Sequence, residues 1–174
     1  MSQVHNGVTH GAKAEADRYR GEEERPLGGY IVVMAVFAAI VAGAAGLAAA
    51  TRRTLPTGIG PWDVLLLAAA THKVSRTTTK DAITSPLRAP FTRYEGTAGP
   101  AEVMEEVRST GGLRHSIGEL ITCPFCLDVW IATGFTMGLV FAPRVTRLIA
   151  ATFTAVAGAD FLQLLYAKAQ QGEG

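Results

Sequence analysis

Both cysteines of the chain, Cys123 and Cys126, fall in one C-x-x-C, with Pro124 between them and Asp128 two residues on. Three uses fit that spacing. The pair can cycle between dithiol and disulfide, supply half of a tetrahedral zinc site, or simply be two small residues at the mouth of a helix. Proline is best accommodated at the first helical position, which makes Cys123 the N-cap and sets Cys126 in the first turn. There the unpaired backbone N–H groups and the helix dipole favour a thiolate, as an attacking Cys123 with a resolving Cys126 requires. Ser116-x-x-Glu119 also matches a capping box, so a rival helix start lies near Ile117, with Pro124 as a kink. Zinc needs two further ligands, for which His115 and His72 offer nitrogen and Asp128 oxygen. The candidate catalytic set is therefore Cys123, Cys126 and Asp128, and the candidate metal set is Cys123, Cys126, His115 and His72. The cofactors these sets would take are a quinone as electron acceptor, or zinc.

These side chains act only where the surrounding elements place them. The sequence is 48% hydrophobic and 18% charged, against about 25% charged in ordinary soluble domains. Its apolar residues gather into runs. Residues 30–50 carry no charge and as a helix reach about 30 Å, enough to cross a bilayer core. Ala48-Ala49-Ala50 resembles a cleavage site, but the run exceeds the roughly 7–15 residues of a signal-peptide core, so an uncleaved span is the better reading. Ala39 with Gly43, and Ala42 with Gly46, have the small-xxx-small spacing that lets another helix approach closely. After the breakers of "PTGIGPW" comes "WDVLLLAAATHKVSR", whose short apolar core either spans, with Lys73 and Arg76 snorkelling, or re-enters. Runs over 125–142 and 148–167, linked by "APRVTR", complete the pattern.

The expected fold is an all-α integral membrane bundle of about four transmembrane helices, with a polar loop at 77–119 between the second and third. Residues 1–27 read as a mobile polar tail, 28–167 as the transmembrane domain and 168–174 as a polar C-terminal tail. Within the loop, "PAEVMEEVRS" predicts one short helix. With four crossings, twelve of the sixteen Lys and Arg residues share the side of both termini, which places the termini in the cytoplasm. Arginine outnumbering lysine twelve to four, with abundant alanine and glycine, points to a bacterium and hence to its inner membrane. Arg52 and Arg53 pull the other way.

Alternating helices bring His72, Arg76, the dithiol, Asp128 and Asp160 into one half of the bilayer. A carboxylate there is costly, so a buried charge cluster of Asp160, Arg76 and Asp128 is expected, with His72 as a second partner. His72, Arg76 and Lys80 form an i, i+4, i+8 stripe, if the helix continues that far. Arg76, Lys80, Arg88 and Arg93, the last two beside Phe91 and Tyr94, are the expected contacts to anionic lipid headgroups. The bland reading of the stripe is a set of snorkelling side chains that end a span. Net charge near zero and the absence of recognition motifs exclude nucleic acid as an evident partner. No glycine-rich phosphate loop, G-x-S-x-G or H-E-x-x-H is present.

From "LLLAAATHKVSR", through "KDAITSPLRAPFTRYE" and "LRHSIGELITCPFCLDVWIA", to "GADFLQLLY", the chain resembles a family of bacterial membrane proteins, domain-of-unknown-function family 1360. The likeness covers roughly residues 60–167 and leaves the tail and first span as an addition. It implies a small integral membrane protein, with some relatives linked to sporulation, and no assigned reaction. The expected function is a non-catalytic accessory or scaffold protein that binds other membrane proteins or itself. The alternatives are a membrane thiol-disulfide oxidoreductase or a zinc-stabilised membrane domain.

Overall fold

The structure is a computed structural model that describes residues 14–19, 25–56, 58–108 and 111–172. Most of the expected N-terminal tail lies outside the described residues; within it, 14–19 are helical. The long elements are α1 (Leu27–Ala50), α2 (Pro61–Thr79), α4 (Gly112–Thr122), α5 (Pro124–Phe141) and α6 (Pro143–Gly172). Between α2 and α4 lie a 3-10 turn (Ala82–Thr84), the four-residue α3 (Ser85–Arg88) and two strands, β1 (Thr92–Thr97) and β2 (Val103–Val107).

Three helices, α1, α5 and α6, are long and apolar enough to cross a membrane. α2 falls outside that group because its second half is polar, yet it lies at the centre of the packing. It runs parallel to α6, tied by Arg147–Asp63 at one end, Thr154 Oγ1 donating to the Leu66 carbonyl in the middle, and Lys73–Asp160 towards the other. At 19 residues it is about 28 Å long. Its buried stripe, Thr71, Ser75 and Thr79, is polar only at hydroxyls, and those of Ser75 and Thr79 donate back to helix carbonyls. Such small residues let backbones approach closely where no water drives association. Ala70, Thr146, Ala150 and Ala157, with the larger Leu139, are also buried and continue this mostly small-residue core.

The loop holds a strand pair where one short helix was expected over "PAEVMEEVRS". "EVMEEV" forms β2, paired antiparallel with β1 from Thr92↔Val107 to Thr97↔Val103, with a register shift between Tyr94 and Gly96. Burial along β2 alternates, with Val103, Glu105 and Val107 turned inward and Met104 and Glu106 exposed. A charged residue at an inward position disguises the period of two, so glutamate's helix preference misleads. The turn end of the hairpin is pinned beneath α2: Val103 N–H donates to the Lys80 carbonyl and Ala82 N–H to the Ala101 carbonyl.

Three boundaries also shift. α4 starts at Gly112 rather than near Ile117, and a clean break at Cys123 separates it from α5, so the kinked-helix reading is incorrect. The link expected over "APRVTR" is a single residue, Ala142, because Pro143 begins α6 at once. The expected C-terminal tail continues α6 as helix to Gly172.

Candidate functional site

The end of α2, the hairpin, α4 and the start of α5 meet at one end of the bundle. A helix leaves its last four carbonyls without intrahelical donors, and the end of α2 is closed by the backbone of its C-cap and by side chains from the loop. Lys80 N–H donates to the Arg76 carbonyl, Thr84 Oγ1 to that of Thr77, and Arg88 Nη1 to that of Thr78 at 2.7 Å. Arg88 is fully buried, and its guanidinium also donates to the Asp81 carbonyl, the Thr84 and Ser85 hydroxyls and both oxygens of Glu105. Thr92 Oγ1 donates to Glu105 Oε2 at 3.2 Å. All of the guanidinium nitrogens are used.

Arg88 is therefore not a lipid-headgroup contact, contrary to the sequence expectation, because no part of it is accessible. Burial tends to raise the Glu105 carboxyl pKa, but the hydrogen bonds and charge of Arg88, with hydroxyl bonds from Ser85 and Thr92, hold it below the ordinary value of 4.5. The unfolded chain then binds this proton more tightly than the folded one. The stability from the pair is complete above pH 4.5 and is lost as pH falls through the lower folded value. Thermal melts in detergent from neutral to about pH 3 are expected to show a steep acid limb, and a shallower one in Glu105→Gln.

The expected cluster of Asp160, Arg76 and Asp128 does not form. Asp160 pairs with Lys73 at 2.8 Å, and Lys73 also approaches Asp81 at 3.8 Å. Arg76 pairs in a fork with Glu102, Nε to Oε1 at 3.0 Å and Nη2 to Oε2 at 2.6 Å. That bond ties Arg76 to the hairpin turn rather than to a headgroup. His72 stacks on Phe161, ring centroids 6.3 Å apart, and does not serve as the partner of Asp160. Asp128 keeps one buried oxygen, Oδ1, without a hydrogen-bond partner, as does the Thr77 hydroxyl. Helix α2 ends at Thr79 with Lys80 as its C-cap, so the His72, Arg76, Lys80 stripe stops short of its last member. Arg93 is exposed on β1, opposite Glu106.

The dithiol does take the expected local geometry. Cys123 is the N-cap of α5, Pro124 opens the helix, and the Cys126 N–H donates to Cys123 Sγ at 3.2 Å. Both thiols are free; Cys126 is exposed and Cys123 half-buried. Access is thus greater at Cys126, while the N-cap hydrogen bond favours the thiolate at Cys123. One turn earlier, Glu119 accepts from the Tyr30 hydroxyl and lies 3.3 Å from His115 Nε2 and 3.7 Å from Arg25 Nη1. His115 is thus engaged with this carboxylate. Among the described residues, no three His, Cys, Asp or Glu side chains converge as a metal site, so Cys123, Cys126, His115 and His72 are not gathered into one.

Sequence reasoning missed Glu102, Glu105, Glu119 and Lys73 as the partners at this end. The available signal was the surplus of glutamates in "EVMEEV" facing the arginines of the loop. Comparison with known proteins gives one match: a family model described as "Protein of unknown function (DUF1360)" covers residues 66–166. No curated protein and no solved structure matches. The matched segment is more than half of the chain, and the chain belongs to that family.

Proposed function

We propose that this DUF1360 member is a non-catalytic accessory protein of the bacterial plasma membrane, one that docks on another transmembrane helix through α1. In this reading α2 is a fourth crossing, and both termini lie in the cytoplasm. What supports a crossing by α2 is its alignment with α6, itself apolar enough to span, from Arg147–Asp63 to Lys73–Asp160. A helix surrounded by others needs less apolar surface than one facing lipid.

The observation that carries the docking role is the bareness of α1. Its apolar window has no buried residue. It packs at its start on α4 and, through Phe37 against Trp130, on α5. From Ala38 to Ala50 only Ala44 and Ala48 are even half-buried. A Cβ added at Gly43 or Gly46 would meet nothing within 4 Å. The family match begins at residue 66, so α1 is an addition to the matched core. Its small-residue spacing suits a close helix–helix contact.

The test is energy transfer between donor- and acceptor-labelled copies in vesicles, with cross-linking in native membranes for a different partner. Transfer or a cross-link that is lost in the Gly43→Leu/Gly46→Leu chain, with insertion unchanged, supports docking through α1. Transfer and cross-links that survive the double substitution, or that never occur in the parent chain, contradict it.

The N-cap geometry of Cys123 favours a second reading, a thiol-disulfide protein. Closing the disulfide would release two electrons and two protons to an acceptor such as a quinone. A cytoplasmic face works against this, because thiols there are kept reduced.

A further inference from the structure

The loop segment 82–90 is built inside out. Its polar residues, Thr84, Ser85 and Arg88, turn inward to the cage at the end of α2. Its exposed residues are Ala82, Ile83, Pro86, Leu87, Ala89 and Pro90, all apolar. Ile83 is 83% and Leu87 67% exposed, four positions apart on one face. Single exposed apolar residues are ordinary on a water-facing surface. An exposed set made up wholly of apolar residues, over polar groups satisfied from within, is the pattern of a surface that faces lipid, where water is not present to serve the backbone.

Position and charge agree with that environment. The segment begins three residues after Thr79, the last residue of α2. The half-buried Lys80 precedes it and the exposed Arg114 stands at its far end, where the Arg114 guanidinium donates to the Pro90 carbonyl. Cations bracketing an apolar face match the headgroup level of an anionic bilayer.

We infer that residues 82–90 form an interfacial wedge, with Ile83 and Leu87 inserted among the lipid headgroups and upper acyl chains of the bilayer the chain crosses. The inference rests on the membrane reading above. Arg88 is central to it as an internal donor: it serves the Thr78 and Asp81 carbonyls so that the wedge can leave water.

Nitroxide labels on the full chain test this, in vesicles of phosphatidylcholine with a minority of phosphatidylglycerol. They are placed singly at Ile83→Cys, Leu87→Cys, Tyr94→Cys and Ile40→Cys in a Cys123→Ser/Cys126→Ser background. Collision with oxygen reports lipid, and collision with a nickel chelate reports water. Labels at 83 and 87 are expected to give an oxygen-to-nickel ratio several-fold above that at 94. If 83 and 87 match 94 while 40 reads as lipid, the wedge is overturned and the membrane reading stands. If 40 also reads as water, the membrane reading fails with it. If neither reagent reaches 83 and 87, protein covers them and the lipid assignment is wrong. Ile83→Asp with the native thiols retained reads the same point separately. A several-fold loss of membrane-inserted protein supports the wedge, and an unchanged level overturns it.

Discussion

Replacing Arg88 by methionine is expected to be among the most damaging single changes in the chain. Glu105 would remain nearly buried, with 7% of its side chain exposed, and without its counter-charge. The Thr78 and Asp81 carbonyls would each lose a donor. Breaking a buried ion pair from one side costs about 3–5 kcal/mol, a large part of the 5–15 kcal/mol that holds a typical domain together. Arg88→Lys is expected to rescue little, because an ammonium cannot span a carboxylate and two carbonyls in one plane. Arg88→Met with Glu105→Leu removes the stranded charge, so it should recover part of the loss, short of the two unserved carbonyls. Thermal unfolding of the purified protein in detergent ranks the four chains. Arg88→Met melting with the parent would refute the structural role of the cage.

The second large effect is expected at Gly29, where α1 crosses α4. A Cβ there would stand 2.3 Å from Ser116 Oγ and 2.8 Å from the Gly112 carbonyl oxygen. The first neighbour is a buried hydroxyl that can turn about a single torsion, and the second is backbone, which yields only if a helix moves. Overpacking of this kind costs about 1–3 kcal/mol. Gly29→Leu should undock the start of α1, freeing the Tyr30 hydroxyl from Glu119 and opening the Phe37–Trp130 edge contact, whose ring centroids lie 5.0 Å apart. A shift in Trp130 fluorescence together with a lower melting temperature is the expected readout. Ser116→Gly in the same chain removes the closer clash and should restore part of the docking. Identical spectra and melting in Gly29→Leu and the parent would show that the close approach is not needed.

The long apolar runs were legible because a helix that is apolar all round leaves an unbroken pattern. So was the N-cap at Cys123, since proline strongly constrains where a helix begins. The hairpin was not. Glu105 occupies an inward strand position because Arg88 waits there, and that dependence joins residues seventeen apart in the chain. Arg88 was misplaced for the same reason: a loop arginine beside aromatics suggests a headgroup ligand unless its carboxylate partner is known. Asp160 was expected to pair with Arg76 or His72 and pairs with Lys73, because depth alone cannot separate Lys73 from Arg76, one turn apart on α2. The choice fell to the direction each faces, with Lys73 towards α6 and Arg76 towards the hairpin. The approach of α1 to α4 left only Gly29 as a trace, and a single glycine is too common a signal to interpret.

Whether α2 crosses the bilayer decides the topology, and labelling with a membrane-impermeant maleimide tests it most directly. The reporters are the native Cys126, after α2 and the loop, and Leu55→Cys in a Cys123→Ser/Cys126→Ser background, in the link before α2. The four-crossing arrangement predicts that Leu55→Cys reacts in intact cells and that Cys126 reacts only after permeabilisation, without reductant. Both positions reacting from the same side of the membrane would contradict a crossing by α2, and with it the shared cytoplasmic placement of the two termini.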